Sequence, residues 1–201
     1  MKRNQTLLAL LETGIMVAIA VILDAIFGAI YTFPFGGSIT PAMFPIFFLA
    51  ARRGVKYGLL GGLLYGSIQL MFSIPYILSL PQFLMDYIVS FTVLGFSGLI
   101  PGQLEKGGRF VLGILLGTVL RLISASIAGL LFWVAYIPEE LDFMHTLFGV
   151  DIAGFFASDN AAVLFGAFAY NMLYLVPSFI ICALIGVIFQ KRGLLKFRLE
   201  G

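Results

Sequence analysis

Charge is scarce in this 201-residue chain: 11% of its residues are Asp, Glu, Lys or Arg, where soluble domains carry about 25%. Hydrophobic residues make up 61%, and the mean hydropathy is +1.06. Together these exclude a soluble globular domain and a disordered chain. A formal net charge of +2 supplies no basic field for a nucleic-acid partner. The single cysteine, Cys182, has no partner for an internal disulfide or a thiolate metal site. The single histidine, His145, excludes paired-histidine zinc motifs. There is no P-loop and no Gly-rich dinucleotide turn, so no cofactor or metal is expected. Energy for any active transport must then come from other subunits.

What remains is a series of apolar segments. Six run roughly over Leu7 to Ile30, Pro41 to Ala51, Tyr57 to Phe72, Gln82 to Ile100, Phe110 to Ala135 and Ala161 to Gln190. A helix needs ~20 residues to cross a bilayer. The first, fourth, fifth and sixth segments are long enough, and the third is marginal. The second rises only ~17 Å and must be a half-helix or a helix extended by a loop. Irregular backbone at membrane depth is tolerated inside protein or beside a polar cavity. The stretch Thr32-Phe33-Pro34-Phe35-Gly36-Gly37-Ser38 is therefore expected as a buried loop near a site, an ordinary Pro/Gly turn being the alternative. The first run exceeds the ~7–15 residues of a signal-peptide core and reads as a retained helix.

Charge placement gives orientation. In a six-pass arrangement, eleven of the 12 basic residues fall on one side: Lys2 and Arg3, then Arg52, Arg53 and Lys56, then Lys106 and Arg109, then Lys191, Arg192, Lys196 and Arg198. The other side holds Glu139, Glu140, Asp142, Asp151 and Asp159. The positive-inside rule then puts both termini in the cytoplasm. The expected fold is an all-α, six-helix transmembrane bundle forming a single domain over residues 1–201, surrounded by lipid.

Polar groups inside apolar segments are costly and mark sites or internal pairs. Asp24, Asp86 and Arg121 are such groups, and with Asn171 they converge on the outer half of the bundle. One reading is a ligand pocket; the other is an ion pair of Arg121 with Asp24 or Asp86 that locks helices. Asp86-Tyr87 sets a carboxylate beside an aromatic ring, a natural receptor for an organic cation. Trp133, the only Trp, is either an interfacial residue or a stacking wall of the pocket. His145 and the acidic residues around it read as a solvated outer loop. Their spacing is not that of a calcium loop. Gly14 and Ala18 form a small-residue face on the first helix, and Gly58, Gly61, Gly62 and Gly66 another on the third. Such faces serve internal packing or docking of a partner.

Several stretches together resemble a known family. Gly36-Gly37-Ser38-Ile39-Thr40, Pro45-Ile46-Phe47-Phe48 and Ala51-Arg52-Arg53-Gly54-Val55-Lys56 are similar to the thiamine-specific S components of energy-coupling-factor transporters. Leu84-Met85-Asp86-Tyr87, Tyr170-Asn171 and Pro177-Ser178-Phe179 fit as well. The resemblance implies a six-helix protein that binds a vitamin from outside. It also implies docking on a transmembrane coupling protein and two ATPases through small residues of helix one, here Gly14 and Ala18. It carries binding roles onto Asp86, Tyr87, Arg121, Trp133 and Asn171, with Gly37, Ser38 and Tyr170 beside them. Ala125 and Gly166 stand where the family has His and Tyr. That implies a larger, less polar pocket, part of which Phe165 or Tyr170 is placed to fill.

The function expected is a non-catalytic thiamine-binding membrane subunit of such an importer, in the bacterial cell membrane. Alternatives are an S component for another vitamin or a thiamine precursor, a structural membrane subunit, or an intramembrane enzyme using Asp24 and Asp86. The last lacks the Gly expected beside each Asp.

Overall fold

The computed structural model describes residues 2–30, 32–71, 77–105, 108–149 and 159–194, and among them there is no strand. Among the described residues seven helices follow in order, with short 3-10 turns at Gln69–Met71 and Val134–Tyr136: α1 Lys2–Ile30, α2 Phe44–Arg53, α3 Val55–Ile68, α4 Leu80–Leu99, α5 Arg109–Phe132, α6 Ile137–Phe148 and α7 Asp159–Lys191. Four stretches are long and apolar enough to cross a membrane: Asn4–Ile30, Leu80–Leu99, Arg109–Phe132 and Asn160–Lys191. They correspond to the four segments expected to span. Lys106, Asp151, Lys196 and Arg198, used above for orientation, lie outside the described residues.

The short second segment is a 10-residue helix, α2. Pro45 sits in its first turn, where the missing N–H costs no hydrogen bond. Every residue from Phe44 to Ala50 is buried. A helix apolar all round belongs inside a bundle, and α2 is the centre of this one. Phe47 and Ile46 are completely shielded, and Phe44 meets Phe189 of α7 edge-on at 5.0 Å.

The glycines of α3 serve internal packing. A Cβ on Gly62 would stand 2.2 Å from the Phe91 carbonyl oxygen, and one on Gly66 2.6 Å from that of Tyr87. Only bare backbone lets α3 and α4 approach so closely. The small face of α1 differs. Gly14 has no non-local heavy atom near its Cβ position, and Ala18 is exposed beside it. Leu7, Leu11, Ile15, Ile22 and Ile26 are also exposed on α1. This face takes no part in internal packing.

Two expectations need correction. The acidic outer segment is not simply a loop, because Ile137–Phe148 is a three-turn helix, α6. Pro138 lies in its first turn and Gly149, at φ 68°, ends it. Ile137, Leu141 and Met144 recur at i, i+4 and i+7 and bury one face against Ala167 and neighbours on α7. His145, on the same helix, is exposed as expected. A fourth charge also belongs with Asp24, Asp86 and Arg121. Glu12 of α1 forms an ion pair with Arg53 at 2.6 Å and with Arg52 at 3.3 Å. The carboxylate thus holds α1 to the end of α2.

Candidate functional site

The irregular parts of the fold surround one cavity of about 360 Å³. That volume lies within the range of small-molecule sites, roughly 300–1,000 Å³. Walls come from α1, the 32–40 loop, α4, α5, α6 and α7.

α4 carries the central acid. Ser79 caps the helix by accepting the Gln82 N–H at 3.3 Å. One α-turn later, Leu84–Val89 takes up π-helical hydrogen bonding, and Val93–Leu99 tightens to 3-10. A π-turn inserts an extra residue and redirects side chains, and such turns occur frequently at functional sites. This one holds Asp86 and Tyr87. The Asp86 Oδ2 accepts the Gln82 amide at 2.6 Å and the Trp133 indole N–H at 2.8 Å. Its other oxygen accepts no hydrogen bond among the described residues. Asp86 therefore stands oriented, with acceptor capacity left for a ligand. Tyr87 stacks on Phe83 with centroids 5.4 Å apart.

Arg121 reaches the cavity from α5. Its guanidinium lies over the Phe91 ring, 4.1 Å from the centroid. Its Nε is buried without a hydrogen-bond partner. Among the described residues the only ion pairs are those of Glu12, so Arg121 is not locked to Asp24 or Asp86. Asp24, on α1, instead accepts the Gln69 amide at 2.5 Å.

The loop after α1 is pinned from α7. The Tyr170 hydroxyl accepts the Phe35 N–H at 3.0 Å and donates to the Gly36 carbonyl at 3.1 Å. Further along, the Thr40 N–H donates to Ser178 Oγ at 3.0 Å. Gly37 has φ 84°, and a Cβ there would enter the Tyr174 ring at 2.6 Å. Glycine is thus required twice over, by conformation and by space. Gly37 and Ser38 both line the cavity. Asn171 donates to the Ala167 carbonyl of its own helix and accepts from the Tyr174 hydroxyl.

Asp86, Tyr87, Arg121, Trp133, Tyr170, Asn171, Gly37 and Ser38 thus all line one cavity. Gly14 and Ala18 lie away from it, on the outer face of α1. Tyr170 spends its hydroxyl on the loop, so it contributes mainly an apolar wall. Ala125 lines the cavity and leaves room there. Gly166 does not line it. A Cβ on Gly166 would stand 2.6 Å from Ile137 Cγ2, so α6 fills that space. Phe165 is 39% exposed and is not part of the wall, which corrects the expectation that it fills the gap.

Sequence reading missed three contributors. Gln82 lies one turn before Asp86, an i,i+4 signal that was available. Gln69 holds Asp24. Glu140 is only 5% exposed and lines the cavity from α6. Burial, with the acids Asp86 and Glu139 nearby, pushes its carboxyl up to about 8.

These features define a class: a helical membrane protein with a small-molecule cavity built from anionic, cationic and aromatic groups. Comparison with known proteins places the chain within that class. It belongs to the thiamine transporter protein family, whose model matches residues 10–142. It is 36% identical over 195 residues to the thiamine transporter ThiT of Bacillus subtilis, covering 92% of this chain and 91% of that protein. It is 28% identical over 152 residues to ThiT of Lacticaseibacillus paracasei, covering 69% of this chain and 75% of that one. The solved structure of ThiT from Listeria monocytogenes superposes with a TM-score of 0.73 at 25% identity, covering 94% and 96% of the two chains. These relatives are transporters by name, in keeping with a membrane transport protein and not an enzyme.

Proposed function

We propose that this chain is the high-affinity thiamine-binding S component of an energy-coupling-factor importer in the bacterial plasma membrane. The observation that carries this reading is the Asp86–Trp133 pair. A carboxylate oriented by an indole N–H faces a cavity that sets three acids, Asp24, Asp86 and Glu140, against one guanidinium. That excess of acid suits a cation. Thiamine offers a thiazolium cation, a flat aminopyrimidine and a hydroxyethyl tail. Asp86 meets the positive charge or the amino group, and the rings of Trp133 and Tyr87 provide flat surfaces. The Arg121 guanidinium, in the cavity wall, donates to an acceptor on the ligand. Buried polar groups of this kind reject analogues that leave them unpaired.

In this reading the whole chain is one membrane domain with six crossings, α6 lying at the outer surface. Both termini are cytoplasmic. Arg52, Arg53, Lys56, Arg109 and Lys191 all lie outside the cavity wall, Arg121 alone among the described basic residues lining it, which supports that orientation. The exposed face of α1 around Gly14 and Ala18 is where a coupling protein with its two ATPases docks.

Intrinsic fluorescence tests the ligand, because Trp133 is the only Trp and lines the cavity. Saturable quenching by nanomolar thiamine is expected from the purified protein. A response only to riboflavin or to a thiamine-precursor pyrimidine reassigns the ligand. Gly14→Arg or Ala18→Arg is expected to abolish uptake in cells while leaving thiamine affinity within twofold. Normal uptake in both variants removes this face from docking.

A further inference from the structure

α6 reaches the cavity through a specific packing device. Its apolar stripe, Ile137, Leu141 and Met144, seats on α7 where Gly166 offers no side chain. Glu140 stands one turn from Ile137 and cannot point to solvent once that stripe is buried. It is 5% exposed and lies in the cavity wall. Its carboxyl takes part in no hydrogen bond or ion pair among the described residues. A buried carboxyl without partners is costly, and a native fold keeps one where something else will satisfy it. The titratable and charged groups around the same cavity are Asp24 from α1, Asp86 and Tyr87 from α4, Arg121 from α5, and Tyr170 and Tyr174 from α7. Glu139 neighbours it on its own helix.

We propose that Glu140 is a ligand-binding residue: entry of the cationic ligand converts its carboxylic acid to carboxylate, which then pairs with the ligand, so that binding expels a proton to solvent. The inference rests on the reading of the ligand as thiamine. Its chemistry balances simply: the carboxyl O–H bond breaks, the proton goes to buffer, and the negative charge left behind offsets the cation. The carboxyl is held up to about 8 in the empty cavity by burial and neighbouring acids. A cation beside it lowers that value. Affinity therefore rises with pH from the lowered value up to about 8, and levels off above it.

The test is titration calorimetry with thiamine, in buffers of different ionisation enthalpy, on wild type and Glu140→Gln. At pH 7 wild type is expected to release most of one proton per thiamine bound, and Glu140→Gln almost none. From pH 6 to pH 8 the wild-type affinity is expected to climb about 30-fold, while that of the variant stays flat. Equal proton release in the two proteins overturns the inference. Absence of thiamine binding to wild type overturns the proposed function itself, so the two failures are distinct. Should Glu140→Gln fail to fold, wild type labelled with ¹³C-glutamate gives the answer by infrared difference spectroscopy. Loss of a protonated glutamic-acid carbonyl band on saturation with thiamine supports the inference, and no change in that band overturns it.

Discussion

The two ends of the bundle treat their charges in opposite ways. Away from the cavity, Glu12 is fully engaged by Arg53 and Arg52, and Arg52 also lies over Phe48 at 5.4 Å. At the cavity end, three acids and Arg121 share one space without an ion pair among the described residues. Both sets are partly shielded and both are costly in a membrane. The paired set ties α1 to α2, and both carboxylate oxygens of Glu12 are bonded. The unpaired set keeps an orphan Nε–H on Arg121 and a carboxyl without partners on Glu140. The difference separates structural charge from charge held for a ligand. Backbone follows the same division. Close glycine contacts join α3 to α4, whereas π and 3-10 turns and a pinned loop surround the cavity.

The largest effect should come from mixing the two kinds of small-residue surface. Gly62→Val drives a side chain into the Phe91 carbonyl, and there is no flexible atom to give way. It is expected to destabilise the protein by about 3 kcal/mol or more, read as a large fall in the thermal unfolding midpoint in detergent. Gly14→Ala meets open space. It is expected to raise stability slightly, by about 0.5–1 kcal/mol, through helix propensity alone. Equal destabilisation by both would mean that the α1 face packs internally.

At the cavity end, Asp86→Asn keeps shape and hydrogen bonding but removes charge. Thiamine affinity is expected to fall about 30-fold, about 2 kcal/mol, measured by Trp133 quenching. Trp133→Phe removes the indole N–H that orients Asp86 and should cost about tenfold, read by calorimetry because the fluorophore is lost. Unchanged affinity in Asp86→Asn would move Asp86 from the ligand-binding set to the structural one.

Much of this division was legible in the sequence, for reasons that also explain the gaps. Length and hydropathy mark the four spanning stretches because bilayer thickness fixes them. The 32–38 loop was legible because Pro and Gly interrupt an apolar run at membrane depth. Asp86 and Trp133 stood out as a charge and a lone Trp. The π-turn beneath Asp86 was not legible, because nothing local distinguishes Leu84–Val89 from ordinary helix. α6 carried readable signals in Pro138, the Ile137/Leu141/Met144 stripe and Gly149. They were masked by three acidic residues that read as topology. Glu140 was hidden with it, since its burial depends on Gly166, distant in sequence. Glu12 escaped because only pairing with Arg53, 41 residues away, gives it meaning.

The smallest effect on thiamine affinity concerns that pair. Glu12 holds two guanidinium contacts with Arg53, at 2.6 and 2.7 Å, and one with Arg52. Bidentate geometry strengthens such contacts, but the pair is 15–20% exposed and water screens part of the gain. Glu12→Gln is therefore expected to cost about 1.5 kcal/mol of stability and to leave thiamine affinity unchanged. Arg53→Gln should cost a similar amount. The double variant should lose less than the two costs added, because each single change already breaks the same contact. A loss of affinity in Glu12→Gln would show that the α1–α2 tie transmits to the cavity, and the separation between structural and ligand-binding charge would not hold.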